Sequence, residues 1–254
     1  MNSSLLYPVS SASRRVVSLD GMWKFQFDPE SAGVGANWAN GLPAPVLMPV
    51  PSSFCDLFTD KDSREYCGDF WYETDFFVPG EWNGSDVVIR FGSATHRARV
   101  FVNGVEVTSH EGGFLPFNAD VTEIVRYNQY NKLAVLLNNE LNEYMLPAGR
   151  TAVLSNGKKV AAPYFDFYNY AGLQRPVKLL CLPKEPVTDF WVVHHLNGAD
   201  ADVDYTVVTN GDHDCVVEVY DAEGNKVAES TGKTGTLHIA NAHLWNVHAS
   251  YLYN

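Results

Sequence analysis

Apolar residues recur at every second position along most of this chain, and no other feature narrows the fold as much. A period of two puts them on one face of an extended strand and cannot line one side of a helix. In residues 22–28, Trp23, Phe25 and Phe27 share a face; in residues 85–91, Val87, Ile89 and Phe91 oppose Val88 and Arg90. Both stretches read as half-buried strands. Residues 99–108, RVFVNGVEVT, set Asn103-Gly104 between two apolar runs. A two-residue type I′ turn needs positive φ at both central positions, which Asn and Gly tolerate, so this segment is predicted to be a hairpin. Further strands are expected at 70–78, 132–138, 176–182, 189–196, 202–209, 215–221 and 235–240, separated by turn clusters such as Asn210-Gly211-Asp212 and Glu223-Gly224-Asn225. Only 54–60 suggests a helix, and a short one. The expected fold class is all-β, built as two antiparallel sandwiches.

Pro183-Lys184-Glu185-Pro186 places two prolines around a charged pair between two strands, which marks a domain boundary. Residues 1–184 have the size of a jelly roll. Residues 185–254 carry five strands and, at Tyr251-Leu252-Tyr253, the start of a sixth. An immunoglobulin-like sandwich has seven strands in about 100 residues, so this second domain is expected to be truncated at its C-terminus.

Composition excludes several functions. A chain of 254 residues that is 46% apolar and 19% charged buries a core and does not stay unfolded. Eighteen Lys and Arg against 30 Asp and Glu leave a net charge of −12, the wrong sign for a nucleic acid or an anionic membrane surface. No window approaches the ~20 apolar residues of a membrane span. The start, MNSSLLYPVSSASRR, has too short an apolar stretch for a signal peptide, with its positive charge on the wrong side. A cytoplasmic location follows as the expectation, with Cys55, Cys67, Cys181 and Cys215 as free thiols. Asn2-Ser3-Ser4 and Asn83-Gly84-Ser85 then read as chance matches to a glycosylation acceptor.

Complete catalytic or metal motifs are missing from the sequence. His194-His195 would point to opposite faces of a strand, one packed and one exposed. His238, His243 and His248 recur every five residues, which suits neither a helix face nor a strand face. His110-Glu111-Gly112-Gly113 lacks the second histidine of a zinc-protease helix. Gly157-Lys158 is followed by Lys159 where a P-loop needs Ser or Thr, and no G-x-S-x-G elbow occurs. The acidic loop of Asp56, Asp60, Asp62 and Glu65 lacks the spacing of a calcium loop. Beside Lys61 and Arg64 it reads as surface ion pairs. No metal and no cofactor are expected.

The segment 163–177, PYFDFYNYAGLQRPV, is the most informative. Asp166 stands among Tyr164, Phe165, Phe167, Tyr168 and Tyr170. A carboxylate in apolar surroundings is costly unless it is hydrogen-bonded, so Asp166 is either capped internally or turned toward a ligand. Aromatic rings beside a carboxylate are also a way to hold a sugar, and the residues alone leave both readings open.

The run DFYNYAGLQRPV at 166–177 resembles the end of the sugar-binding domain in β-glucuronidases of glycoside hydrolase family 2. Other stretches are similar in the same order: LDGMWKFQFD at 19–28, PVPSSFCDLF at 49–58, REYCGDFWYE at 64–73, ATHRARVFVNG at 94–104, HEGGFLPFNADVT at 110–122, VLLNNEL at 135–141 and AHLW at 242–245. The resemblance implies a jelly roll, then an immunoglobulin-like sandwich, then a (β/α)₈ barrel holding the two glutamates of a retaining mechanism. No residue here matches those glutamates or the barrel's Asn-x-Lys element, so this chain alone is expected to be inactive. The family aspartate that reaches substrate matches Asp166, although Tyr168 replaces the usual second Phe. Asn169, Tyr170 and Arg175 match positions that would shape the loop. Val247 stands where the family usually has a proline. The implied partners are a β-glucuronide or related carbohydrate and further copies of the chain, as a homotetramer. A free-standing carbohydrate-binding module and an oligomer scaffold without hydrolase activity are the alternatives.

Overall fold

The computed structural model describes residues 7–254, so the Asn2-Ser3-Ser4 pattern lies outside the described residues. Two compact units divide them, 7–184 and 185–254.

The first unit contains β1 (Arg15–Ser18), β2 (Gly21–Asp28), β3 (Val46–Val50), β4 (Asp69–Val78), β5 (Asp86–Phe91), β6 (Arg97–Val102), β7 (Val105–Glu111), β8 (Phe117–Asp120), β9 (Gln129–Asn138), β10 (Gly149–Val153), β11 (Lys159–Pro163) and β12 (Val177–Leu182). One antiparallel sheet has the order β3-β2-β4-β9-β6-β7, a second β1-β12-β5-β8, and β10-β11 form a separate ribbon. Between β4 and β9 the chain passes repeatedly from one large sheet to the other, the jelly-roll way of building a sandwich. Alternation explains the core. Trp23 and Phe25 of β2, Tyr72 of β4 and Val135 of β9 point inward against Val87, Ile89 and Phe91 of β5 and Leu179 of β12, all buried. Phe25 alone has five aromatic neighbours, Phe27, Phe54, Phe58, Phe70 and Tyr72.

The predicted hairpin joins β6 to β7, with Asn103 at φ 51° and Gly104 at φ 83°. Strand β5 departs from expectation, because it is buried on both faces and not on one. It is an inner strand between β12 and β8, and Tyr7 lies over neighbouring Lys178 on the other face, with the ammonium 4.1 Å from the ring centroid. The helix expected over 54–60 is instead two single turns, α1 (Phe54–Leu57) and α2 (Lys61–Arg64). Phe58 between them is extended, and Asp60 caps α2 by accepting from the Ser63 amide at 2.8 Å. Outside the larger sheet, residues 29–45 cover Trp71, Phe101, Ala134 and Leu136 with Trp38, Ala39 and Leu42. Two buried carboxylates hold this flap. Asp28 accepts from Trp71 Nε1 and the amides of Ala32 and Gly33, and Glu73 accepts from Lys24, Lys132 and the Leu42 amide.

The second unit has β13 (Val187–Asn197), β14 (Asp200–Thr209), β15 (Val216–Tyr220), β16 (Lys226–Thr231) and β17 (Thr234–Ile239), in sheets ordered β13-β14-β17 and β15-β16. Ala201, Tyr205, Leu237 and Ile239 are its buried apolar residues, and Tyr205 reaches Ser230 of β16 at 3.0 Å. His194 and His195 are both exposed, against the expectation of one packed and one free. They stand on β13, an edge strand of the three-stranded sheet, in which every residue from 190 to 197 is exposed. Residues 251–253 form no strand, although Asn254 and Tyr220 exchange two backbone hydrogen bonds. Among the described residues no helix is long and apolar enough to cross a membrane.

Candidate functional site

The loop between β11 and β12 carries Asp166. Its carboxylate is exposed and, among the described residues, makes no hydrogen bond or ion pair. The internal cap is therefore not the arrangement found. Tyr164, Phe165, Tyr168 and Tyr170 around it are each about half exposed, so the loop presents an acidic group within an aromatic surface.

What lies beneath the loop is ordered by specific bonds. Asn169 donates from Nδ2 to the Asn139 carbonyl at 2.9 Å, while its Oδ1 lies 2.6 Å from His96 Nε2. Asn139 is buried, accepting from the Gly68 amide and donating to the Tyr66 carbonyl. Three residues on, the Gly172 carbonyl accepts from both the amide and the hydroxyl of Thr95. Gly172 has φ +138°, and a Cβ there would come within 2.7 Å of the Ser52 carbonyl oxygen and 2.8 Å of the Tyr72 hydroxyl. Only glycine fits so close an approach at such a φ. On the opposite side, Ala171 accepts from the Phe54 amide and Ser53 Oγ, and the Leu173 carbonyl accepts from the Ser52 amide. The PVPSSFC stretch and the THRA stretch thus grip the loop from two sides.

Of the residues matched to the family motif, Asp166, Asn169, Tyr170 and Arg175 all lie on this loop and do different things. Arg175 Nη1 donates to the Phe114 carbonyl at 3.1 Å. Tyr170 packs on Tyr168, with ring centroids 4.7 Å apart, and Tyr168 donates to the Arg64 carbonyl. Asn169 is the most deeply engaged. Sequence reasoning passed over His96, Asn139 and Phe114, although the strings ATHRARVFVNG, VLLNNEL and HEGGFLPFNADVT contain them. The available signal was a histidine and an asparagine inside otherwise apolar strand ends.

His96 is fully buried, and burial holds its imidazole below the usual histidine range, with Arg97 adding to the effect and the Asn169 bond opposing it. Burial likewise pushes the Cys67 thiol up to about 11 and raises Cys55. Neither is an activated nucleophile. The acidic loop disperses into separate contacts. Asp62 pairs with Lys158 at 2.6 Å, Glu65 with Lys61 at 4.0 Å, and Asp60 serves as the cap. Among the described residues no three His, Cys, Asp or Glu side chains converge as metal ligands would.

A model of the glycosyl hydrolases family 2 sugar-binding domain matches residues 16–183. The β-glucuronidase of Paenibacillus borealis is 37% identical over 98% of this chain and 43% of its own length. That of Canis lupus familiaris is 38% identical over the whole chain and 43% of its own length. Solved Ruminococcus gnavus β-glucuronidase is similar at 56% identity and a TM-score of 0.97, covering 100% of this chain and 42% of that one. A structure of the same enzyme in complex with D-glucuronic acid matches at the same identity and TM-score, over 44% of that chain. The chain thus spans less than half the length of these relatives and corresponds to their N-terminal region.

Proposed function

The chain belongs to glycosyl hydrolase family 2, and from that premise we propose that it serves as the non-catalytic N-terminal region of a β-glucuronidase-like retaining enzyme. In this reading residues 1–184 are the sugar-binding jelly roll and residues 185–254 part of an immunoglobulin-like sandwich. The chemistry is a double displacement at a β-glucuronide by two carboxylates about 5 to 5.5 Å apart, supplied by a barrel and not by these residues. A single loop carboxylate cannot both protonate the leaving group and attack the sugar. A cytosolic setting, consistent with the unpaired thiols of Cys55, Cys67 and Cys181, and homotetrameric assembly belong to the same proposal.

The observation that carries it is the exposed carboxylate of Asp166, offered without an internal partner from a loop whose backbone is held at Asn169, Ala171, Gly172 and Leu173. Such a group accepts hydrogen bonds from glycone hydroxyls without first breaking one of its own. Hydrogen bonds to a charged group contribute roughly 1.5 to 3 kcal/mol. Grafted onto the remainder of the Ruminococcus gnavus enzyme, this chain should support hydrolysis of a chromogenic β-glucuronide. Asp166→Asn and Asp166→Ala should then lower kcat/KM by about one to two decades at ~1.4 kcal/mol per decade, with little change in melting temperature. The 254-residue chain alone should show no turnover. Activity co-purifying with it, or full activity in both variants, overturns the reading.

A further inference from the structure

The interior beneath the candidate site contains a polar group with no evident packing purpose. His96 is completely buried, yet its Nδ1 has no hydrogen-bond partner. An apolar side chain would fill the same space without leaving a buried acceptor unsatisfied, so the ring's other nitrogen must account for its presence. That nitrogen, Nε2, faces Asn169 Oδ1 at 2.6 Å.

The direction of this bond follows from its neighbours. The Asn139 carbonyl can only accept, so Asn169 must turn Nδ2 toward it and Oδ1 toward the histidine. His96 therefore donates from Nε2–H, and Nδ1 is the bare nitrogen. A Cβ at Gly113 would lie 2.7 Å from that Nδ1, so the adjoining backbone also comes close to the ring. The preceding residue, Thr95, bonds the Gly172 carbonyl. Two consecutive residues of one strand end thus hold positions 169 and 172 of the loop. The Phe114 ring meets His96 edge-on at 5.6 Å and Phe167 at 6.4 Å, and Phe167 is the residue after Asp166.

We infer that His96 is the positioning residue of the candidate sugar site, setting the loop that carries Asp166 by donating from Nε2 to Asn169 and by supporting Phe167 through Phe114. It touches no substrate. The inference rests on the sugar-binding reading of Asp166, but its own test is independent of sugar.

Long-range ¹⁵N–¹H NMR of the unmodified 254-residue chain should show His96 protonated on Nε2 and bare on Nδ1. The opposite tautomer overturns the proposal without any variant being made. Hydrogen exchange then follows the loop. His96→Leu should speed exchange of the Tyr170 amide and of the Thr95, Phe54 and Ser52 amides, which donate to the loop carbonyls of Gly172, Ala171 and Leu173, by about fivefold to tenfold, the equivalent of one hydrogen bond, while β4 and β9 stay as protected as before. His96→Gln, which can keep a donor near the Nε2 position, should restore most of that protection. Adding His96→Leu to Asn169→Ala should cost the loop little more than Asn169→Ala alone, since that change already removes the His96 bond together with the one to Asn139. Unchanged loop exchange in His96→Leu, or a uniform rise across the first unit, assigns the ring to packing and overturns the proposal. If these results hold while Asp166→Asn leaves the grafted enzyme fully active, the sugar-binding reading falls and the loop-setting role stands.

Discussion

Strands β5 and β13 carry similarly apolar sequences and have opposite environments. Every residue of DVVIRF in β5 is buried, including Asp86 and Arg90. In β13, Phe190, Trp191, Val192, Val193 and Leu196 are each about half exposed, from both faces of the strand. The difference lies in what surrounds them. β5 has hydrogen-bonded strands on both edges and packs against the six-stranded sheet; β13 is an edge strand, paired only with β14. The histidines divide the same way. His96 of the first unit is internal, and burial lowers its pKa, whereas His238 of the second is on the surface, and its bond to Asp202 at 2.8 Å raises its pKa. Apolar sequence supplies the capacity for burial, and stability comes only where a covering layer uses it.

The sharpest way to break this comparison is to truncate one aromatic residue in each unit. Phe25→Ala removes a ring enclosed by five others and should destabilise the first unit by roughly 3 to 5 kcal/mol. Phe190→Ala removes a half-exposed ring and should cost under about 1 kcal/mol. Denaturant titration of both variants decides it, and equal losses would mean that β13 is covered in solution. Hydrogen exchange refines the same contrast. Amides of β4, β5 and β9 should be the slowest in the chain and those of β13 faster by at least about tenfold, as expected of an edge strand with little cover. Equal protection in β5 and β13 would remove the distinction.

The smallest effect concerns pH. His96 has a folded pKa below its unfolded value, so its stabilising contribution is fully present above about 6.5 and is lost as pH falls through the folded pKa. His238 has a folded pKa above its unfolded value, so its contribution is fully present below about 6.5 and is lost as pH rises through the folded pKa. Lowering pH from about 7 to about 5.5 should therefore weaken the first unit and slightly favour the second, with solvent screening keeping the surface pair's share small. Unit-resolved exchange at the two pH values reads the sign. Movement of both units in one direction would contradict the burial assigned to His96.

Much of the framework is legible in the residues. Trp23, Phe25 and Phe27 announce a strand and the face it buries, because alternation is a local property of extended backbone. Asn103-Gly104 announces its turn because positive φ is cheap for those two residues. Asp166 stands out as a carboxylate among rings. By contrast, β1, β3, β8, β10, β11 and β16 fall outside the expected strands, being short, interrupted by glycine or proline, or lacking a long apolar run. Period two separates the faces of β5 but carries no information about whether its second face is covered.

By itself, then, the sequence determined the all-β class, the hairpin, the aromatic loop and the family it resembles, all properties of neighbouring residues or of strings in order. The tertiary structure alone decided that Asp166 is uncapped, that β5 is covered on both sides and β13 is not, and that His96 lies under the loop. The His96–Asn169 bond joins residues 73 apart, and the bond from Asn169 to Asn139 joins residues 30 apart. Local periodicity determines which way a side chain points; which distant segment meets it there is decided only when the sheets close over a common core.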